Sequence, residues 1–134
     1  MKLIVCVDDN LGMMFNNRRQ SRDKKVVDKI NEMIGNKTLY ISNYSQILFP
    51  NAEIFTTLGN KNDYYFIENP DLIILDYVDE VVLFRWNRAY PSDKKFNLNL
   101  NCFDMIFMEE FEGSSHEKIT LEHYVKKIKQ KGRF

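Results

Sequence analysis

Lys2-Leu3-Ile4-Val5-Cys6-Val7-Asp8-Asp9-Asn10 places an unbroken apolar, largely β-branched run between a lysine and two aspartates. Its apolar residues fall at successive positions, which suits a strand covered on both faces and therefore central in a sheet. The polar Asp8-Asp9-Asn10 then releases the chain into a loop. Residues 10–20 carry Gly12, Met13, Met14, Arg18 and Arg19 without a period and are expected to form an ordered loop. From Ser21 the spacing changes. Val26, Val27, Ile30, Met33 and Ile34 recur as on one face of a helix, with Ser21 as its N-terminal cap and Gly35 as its stop.

Strand and helix signals then alternate. Residues 37–41 read as a strand and 43–49 as a short helix closed by Pro50. Residues 52–57 and 64–67 read as strands around a polar turn at 59–63. Pro70 opens a helix through Tyr77, and residues 80–85 form a strongly β-branched strand. This order predicts an α/β fold with a mostly parallel sheet and flanking helices. A long polar excursion occupies 87–101, and another strand covers 102–111. Residues 115–129 support two interpretations. Leu121, Tyr124, Val125 and Ile128 fit a helical face behind a Ser114/Glu117 capping box, while Ile119, Leu121, His123 and Val125 fit a strand. Local chemistry favours the helix.

The chain has 134 residues, 44% of them hydrophobic and 28% charged, which fits one folded domain over 1–134 and excludes disorder. Nineteen basic residues balance nineteen acidic ones, so no global field gathers nucleic acid or an anionic membrane. The apolar runs fall well short of the roughly 20 residues a membrane helix needs. The acidic turn at Asp8 and Asp9 does not suit a signal peptide, and a cytoplasmic location is expected. Cys6 and Cys102 sit in strand-like runs without metal or redox spacing and are expected to be buried thiols.

The order of elements, with several short strings, resembles dihydrofolate reductase. Leu3-Ile4-Val5-Cys6-Val7-Asp8-Asp9-Asn10-Leu11-Gly12-Met13 is similar to that family's first strand and the start of its mobile loop, continued by Asn16-Asn17-Arg18. Glu80-Val81-Val82-Leu83-Phe84-Arg85 through Asp93 and Phe96 resembles its late strand and following loop, and residues 102–111 the next strand. The resemblance implies a reductase-like fold with a deletion between Ser45 and Tyr64. It also implies lost chemistry. Gln20-Ser21 and Val26 stand where the family holds and protonates its pterin, with Asp23 about one turn early. Ser42-Asn43-Tyr44-Ser45 and Glu68-Asn69-Pro70 stand where it anchors the dinucleotide. A carboxylate at that second position repels a pyrophosphate. No cofactor is expected, and NADPH-dependent hydride transfer is not.

Arg18-Arg19-Gln20-Ser21, Arg85-Trp86-Asn87-Arg88 and the Gly113-to-Lys118 string also resemble small bacterial proteins labelled ribonuclease Z. A zinc phosphodiesterase needs a cluster of histidines and aspartates. With only His116 and His123 available, no metal site is expected.

Three polar segments carry the candidate chemistry: Arg18, Arg19 and Ser21; Arg85, Trp86, Arg88 and Tyr90; and Ser114, Ser115, His116 and Lys118. If they converge, Arg18, Arg19, Arg85, Arg88 and His116 make a basic cleft that holds an anionic small molecule or nucleotide by bidentate hydrogen bonds, or docks a partner. The alternative is a metal-independent ribonuclease. There His116 is the base, Arg85 and Arg88 stabilise phosphate charge, and Trp86 or Tyr90 stacks on a base. Against both stands the plainer pattern of arginines solvating a loop beside Asp23 and Asp28, Trp86 as packing, and His116 as an exposed loop residue.

Overall fold

The computed structural model describes residues 1–57 and 62–128. In chain order the strands are β1 (Lys2–Val7), β2 (Gly12–Phe15), β3 (Arg18–Arg19), β4 (Leu39–Ile41), β5 (Glu53–Ile54), β6 (Tyr64–Phe66), β7 (Glu80–Arg85), β8 (Lys94–Lys95), β9 (Phe103–Phe111) and β10 (Ile119–Lys126), with helix α1 (Lys24–Ile34) between β3 and β4. Seven strands form one sheet in the order β5-β4-β6-β1-β7-β10-β9. Its β5, β4, β6, β1 and β7 are mutually parallel, while β10 runs antiparallel to both β7 and β9. The class is α/β with a mostly parallel sheet, and β1 is its middle strand.

The period-two alternation of strands divides the interior into two layers. Leu3, Val5, Val7, Tyr65, Ile67, Val81 and Leu83 face one side, where the small sheet β3-β2-β8 contributes Met13 and Met14. Ile4, Phe66, Val82, Phe84 and Trp86 face the other, where α1 lays down Val26, Ile30 and Ile34 at four-residue spacing. Each such aliphatic or aromatic side chain contributes about 1.5–3 kcal/mol by leaving water.

Several expectations are corrected. Residues 10–20 are a hairpin and not a loop: Asn16 and Asn17 adopt φ of 51° and 61°, the left-handed pair that a two-residue turn between β2 and β3 requires. The flanking helices reduce to α1 among the described residues. Residues 43–49 and 70–77 form only short 3-10 turns at Asn43–Ile47, Pro70–Leu72 and Leu75–Tyr77, because Ile73 and Ile74 stay extended between the last two. The cap of α1 is Asp23, not Ser21; its carboxylate accepts from the Lys25 N–H at 2.9 Å. Gly35 does end the helix, at φ 56°. The polar excursion supplies β8, which pairs with β2.

The C-terminal segment is the strand β10 and not a helix. Pairing on both sides, with β7 and with β9, satisfies its backbone and overrides the helical periodicity. Ser114, the expected cap, is instead bonded to Asp23. Cys102 is exposed, contrary to the buried thiol expected, while Cys6 is partly accessible as a residue with its thiol enclosed; both are free thiols. The turn at 59–63 lies largely, and Lys129 wholly, outside the described residues. The edge strand β9 leaves Met105, Ile106, Phe107 and Met108 exposed. No helix among the described residues is long and apolar enough to cross a membrane.

Candidate functional site

The site follows from strand parity. Positions in phase with Ile4 on β1, Phe66 on β6 and Phe84 on β7 turn toward α1, and just beyond the strand ends these phases fall on Asp8, Glu68 and Trp86. Polar and aromatic groups therefore gather at the carboxyl ends of three parallel strands, where α1 begins and where open α/β sheets collect ligands. The segment 112–118, returning from β9 to β10, crosses the same place.

Asp23 is the organising group. Besides capping α1, it accepts from the backbone N–H of Ser114 (2.9 Å) and Ser115 (2.7 Å), from the Ser114 hydroxyl (2.9 Å) and from His116 Nδ1 (2.9 Å). The two side chains of that last pair are buried, at 0% and 1% exposure. Burial alone raises a carboxyl pKa, but His116 and the Ser114 and Ser115 donors outweigh it and hold Asp23 well below the usual carboxylate range. An ionised Asp23 requires a proton on His116 Nδ1, which turns Nε2 to the opposite side of the ring.

There Nε2 lies 3.0 Å from Ser21 Oγ and 2.9 Å from the Tyr90 hydroxyl, which is itself 3.3 Å from Ser21 Oγ. Trp86 stacks on the imidazole with centroids 4.5 Å apart and an interplanar angle of 18°, fixing the ring plane. Asp8 holds the adjoining loop by accepting from the Asn10, Gly12 and Tyr90 N–H groups and from Gln20 Nε2. These donors overcome the effect of its burial and lower its pKa.

Across a narrow pocket lined by Cys6, Ser21, Arg22, Phe49, Glu68 and Trp86, a second pair, buried on its carboxylate side, closes the site. Arg19 donates through Nε and Nη2 to both Glu68 oxygens, at 2.7 and 2.9 Å, and the Ser45 hydroxyl donates to Glu68 at 2.7 Å. The pocket's cavity volume of about 20 Å³ admits a single water-sized group. Burial, then the negative charges of Glu68 and Asp23, push the Cys6 thiol up and keep it protonated.

Of the residues expected to carry function, Ser21, Trp86, Tyr90, Ser114, Ser115 and His116 come together around Asp23. His116 is buried, contrary to the exposed loop residue expected, because its Nδ1 ties the 112–118 segment to α1. Trp86 is packing, at 4% exposure. Arg18, Arg19 and Tyr90 line an open groove of about 490 Å³ on the outer side of Gln20, and the Arg88 guanidinium stands 5.8 Å from the Tyr90 ring centroid. Arg85 is not part of the cleft. Out of phase with Trp86, it points to the other sheet face and pairs with Glu122 at 2.9 Å. Lys118 is also outside it, on the surface near Glu110.

Sequence reasoning set Asp23 one turn early for the family's acid and took Glu68 only as an obstacle to a dinucleotide. The available signal was Asp23 standing immediately before the helical period, a cap position. Among the described residues no group of three or more His, Cys, Asp or Glu is arranged to hold a metal ion. No protein-family model matches the chain, and comparison with curated proteins finds no match.

Proposed function

We propose that this chain is a trimmed, dihydrofolate reductase-like domain without reductase chemistry, and that it binds a small anionic ligand in the groove of Arg18, Arg19 and Tyr90. The reductase likeness is supported by the central β1 and by the antiparallel last strand, with which that family also ends. Loss of the dinucleotide site is supported by Glu68, whose carboxylate is committed to Arg19 and Ser45 where a pyrophosphate would lie. The observation that carries ligand binding is the pair Arg18 and Arg88. Arg18 lines a groove large enough for a small molecule, Arg88 stands over the ring of Tyr90, which lines the same groove, and neither arginine has an ion-pair partner among the described residues.

Gln20 fixes the wall of the groove. Its Nε2 donates to Asp8 at 3.2 Å and to the Pro91 carbonyl at 3.1 Å, which leaves Oε1 buried as an acceptor without a protein donor.

Isothermal titration with phenyl phosphate, beside inorganic phosphate, tests the groove. Saturable binding that weakens at least tenfold in Arg18→Ala/Arg88→Ala is expected; no saturable binding, or equal binding by the double variant, overturns it. A fluorescence titration with NADPH tests the other half, since saturable binding accompanied by dihydrofolate turnover contradicts the loss of reductase function.

A further inference from the structure

We propose that Ser21 is a nucleophile, activated by His116 under the control of Asp23, and that the site hydrolyses activated acyl esters whose acid portion is anionic. Such a site needs a hydroxyl within reach of a base, a base held in one tautomer by an acid, and shelter from bulk water. Ser21 Oγ to His116 Nε2 is 3.0 Å, and His116 Nδ1 to Asp23 Oδ2 is 2.9 Å. The imidazole and carboxylate are buried, while Ser21 is only partly buried, so an ester reaches its hydroxyl from the solvent side and not through the narrow pocket, which holds no more than a water-sized group. Tying segment 112–118 to α1 needs only the Nδ1 side of His116. A serine hydroxyl at Nε2 is superfluous to that task and is what proton transfer requires.

The chemistry balances as two acyl transfers. Ser21 Oγ attacks the ester carbonyl carbon while its proton passes to Nε2, and the carbonyl oxygen takes the negative charge of the tetrahedral adduct. The Tyr90 hydroxyl, 3.3 Å from Ser21 Oγ, is the side-chain donor proposed for that oxygen. Collapse breaks the bond to the alcohol, which leaves with the Nε2 proton. Water then attacks the acyl-serine by the same route, releasing the carboxylic acid and restoring the Ser21 hydroxyl. The preference for an anionic acid portion rests on the groove proposed above, which shares Tyr90 with this site and has Arg18 in its lining and Arg88 over the Tyr90 ring; the nucleophile does not depend on it.

A fluorophosphonate probe followed by intact-mass and peptide mapping tests Ser21 directly, with 4-nitrophenyl acetate and 4-nitrophenyl succinate as neutral and anionic esters. The expected result is one adduct, on Ser21, absent in Ser21→Ala and formed at least 100-fold more slowly in His116→Gln. Circular dichroism and thermal unfolding establish that each variant is folded, and Ser21→Ala retains the Asp23–His116 pair. Labelling of Ser21 with faster turnover of the succinate, reduced in Arg18→Ala/Arg88→Ala, supports nucleophile and groove together. Labelling with no preference between esters supports the nucleophile and removes the groove. A folded wild-type protein that stays unlabelled, or a label that persists in Ser21→Ala, overturns the proposal.

Discussion

His116 Nδ1 and Asp23 Oδ2 meet at 2.9 Å although 93 positions separate them in the chain. The bond joins the first turn of α1 to the segment between β9 and β10, so one carboxylate serves as helix cap, loop anchor and imidazole partner. Asp23→Ala removes all three roles and leaves the Ser114 and Ser115 donors without an acceptor. A loss of about 3–5 kcal/mol is expected, of which about 1 kcal/mol belongs to the cap and the rest to buried donors left unsatisfied at about 1–3 kcal/mol each. Urea unfolding of the two proteins measures it.

Acid sensitivity follows from the same group. The folded protein lowers the pKa of Asp23, so the unfolded chain binds its proton more readily and stability rises with pH across the interval between the two values. The contribution is complete above the unfolded value of about 4 and drains away as pH falls below it toward the depressed folded value. Unfolding free energies measured from pH 6 down to pH 2 are expected to fall more steeply for the wild type than for Asp23→Asn. Parallel curves contradict this.

Gly113 is a space requirement. A Cβ there would stand 2.5 Å from Asp23 Oδ2 and 2.8 Å from Ile119 Cδ1, with the His116 carbonyl at 3.0 Å. Neither the carboxylate, held by its donors, nor the buried Ile119 can yield freely. Gly113→Ala is expected to cost about 1–3 kcal/mol and to displace Asp23. Thermal unfolding reads the first effect, and the histidine ring resonances in an NMR spectrum read the second.

The Arg19–Glu68 pair is expected to behave asymmetrically. Arg19→Met strands a buried carboxylate with only the Ser45 hydroxyl as donor, at a cost of about 3–5 kcal/mol. Arg19→Met/Glu68→Leu removes the stranded charge and returns to within about 1–2 kcal/mol of the wild type. Denaturant midpoints for the single and double variants decide it; equal losses contradict the account.

The parts of the fold legible in sequence are those whose surroundings are uniform. β1 and β7 are apolar at successive positions because both sheet faces are covered, and their bounds read directly. The β2–β3 hairpin carries a legible signal in Asn16-Asn17, residue types suited to positive φ, which the irregular methionines and arginines around them obscure. For β10 no local signal suffices. Leu121 and Val125 satisfy both periods, and the strand is decided by hydrogen-bonding partners on β7 and β9. The candidate site divides in the same way. Ser21, Tyr90 and His116 are visible as polar residues in irregular segments, whereas the carboxylate that unites them depends on a chain reversal that no short window contains.

Alternation along β7 sends two consecutive residues into separate compartments. Arg85 joins Glu122, whose carboxylate also accepts the Tyr124 hydroxyl, on one side of the sheet, while Trp86 lies under His116 on the other. Neighbours in sequence are thus strangers in space, and the layer around Arg85 is free to drift or be redesigned for robustness without consulting the imidazole.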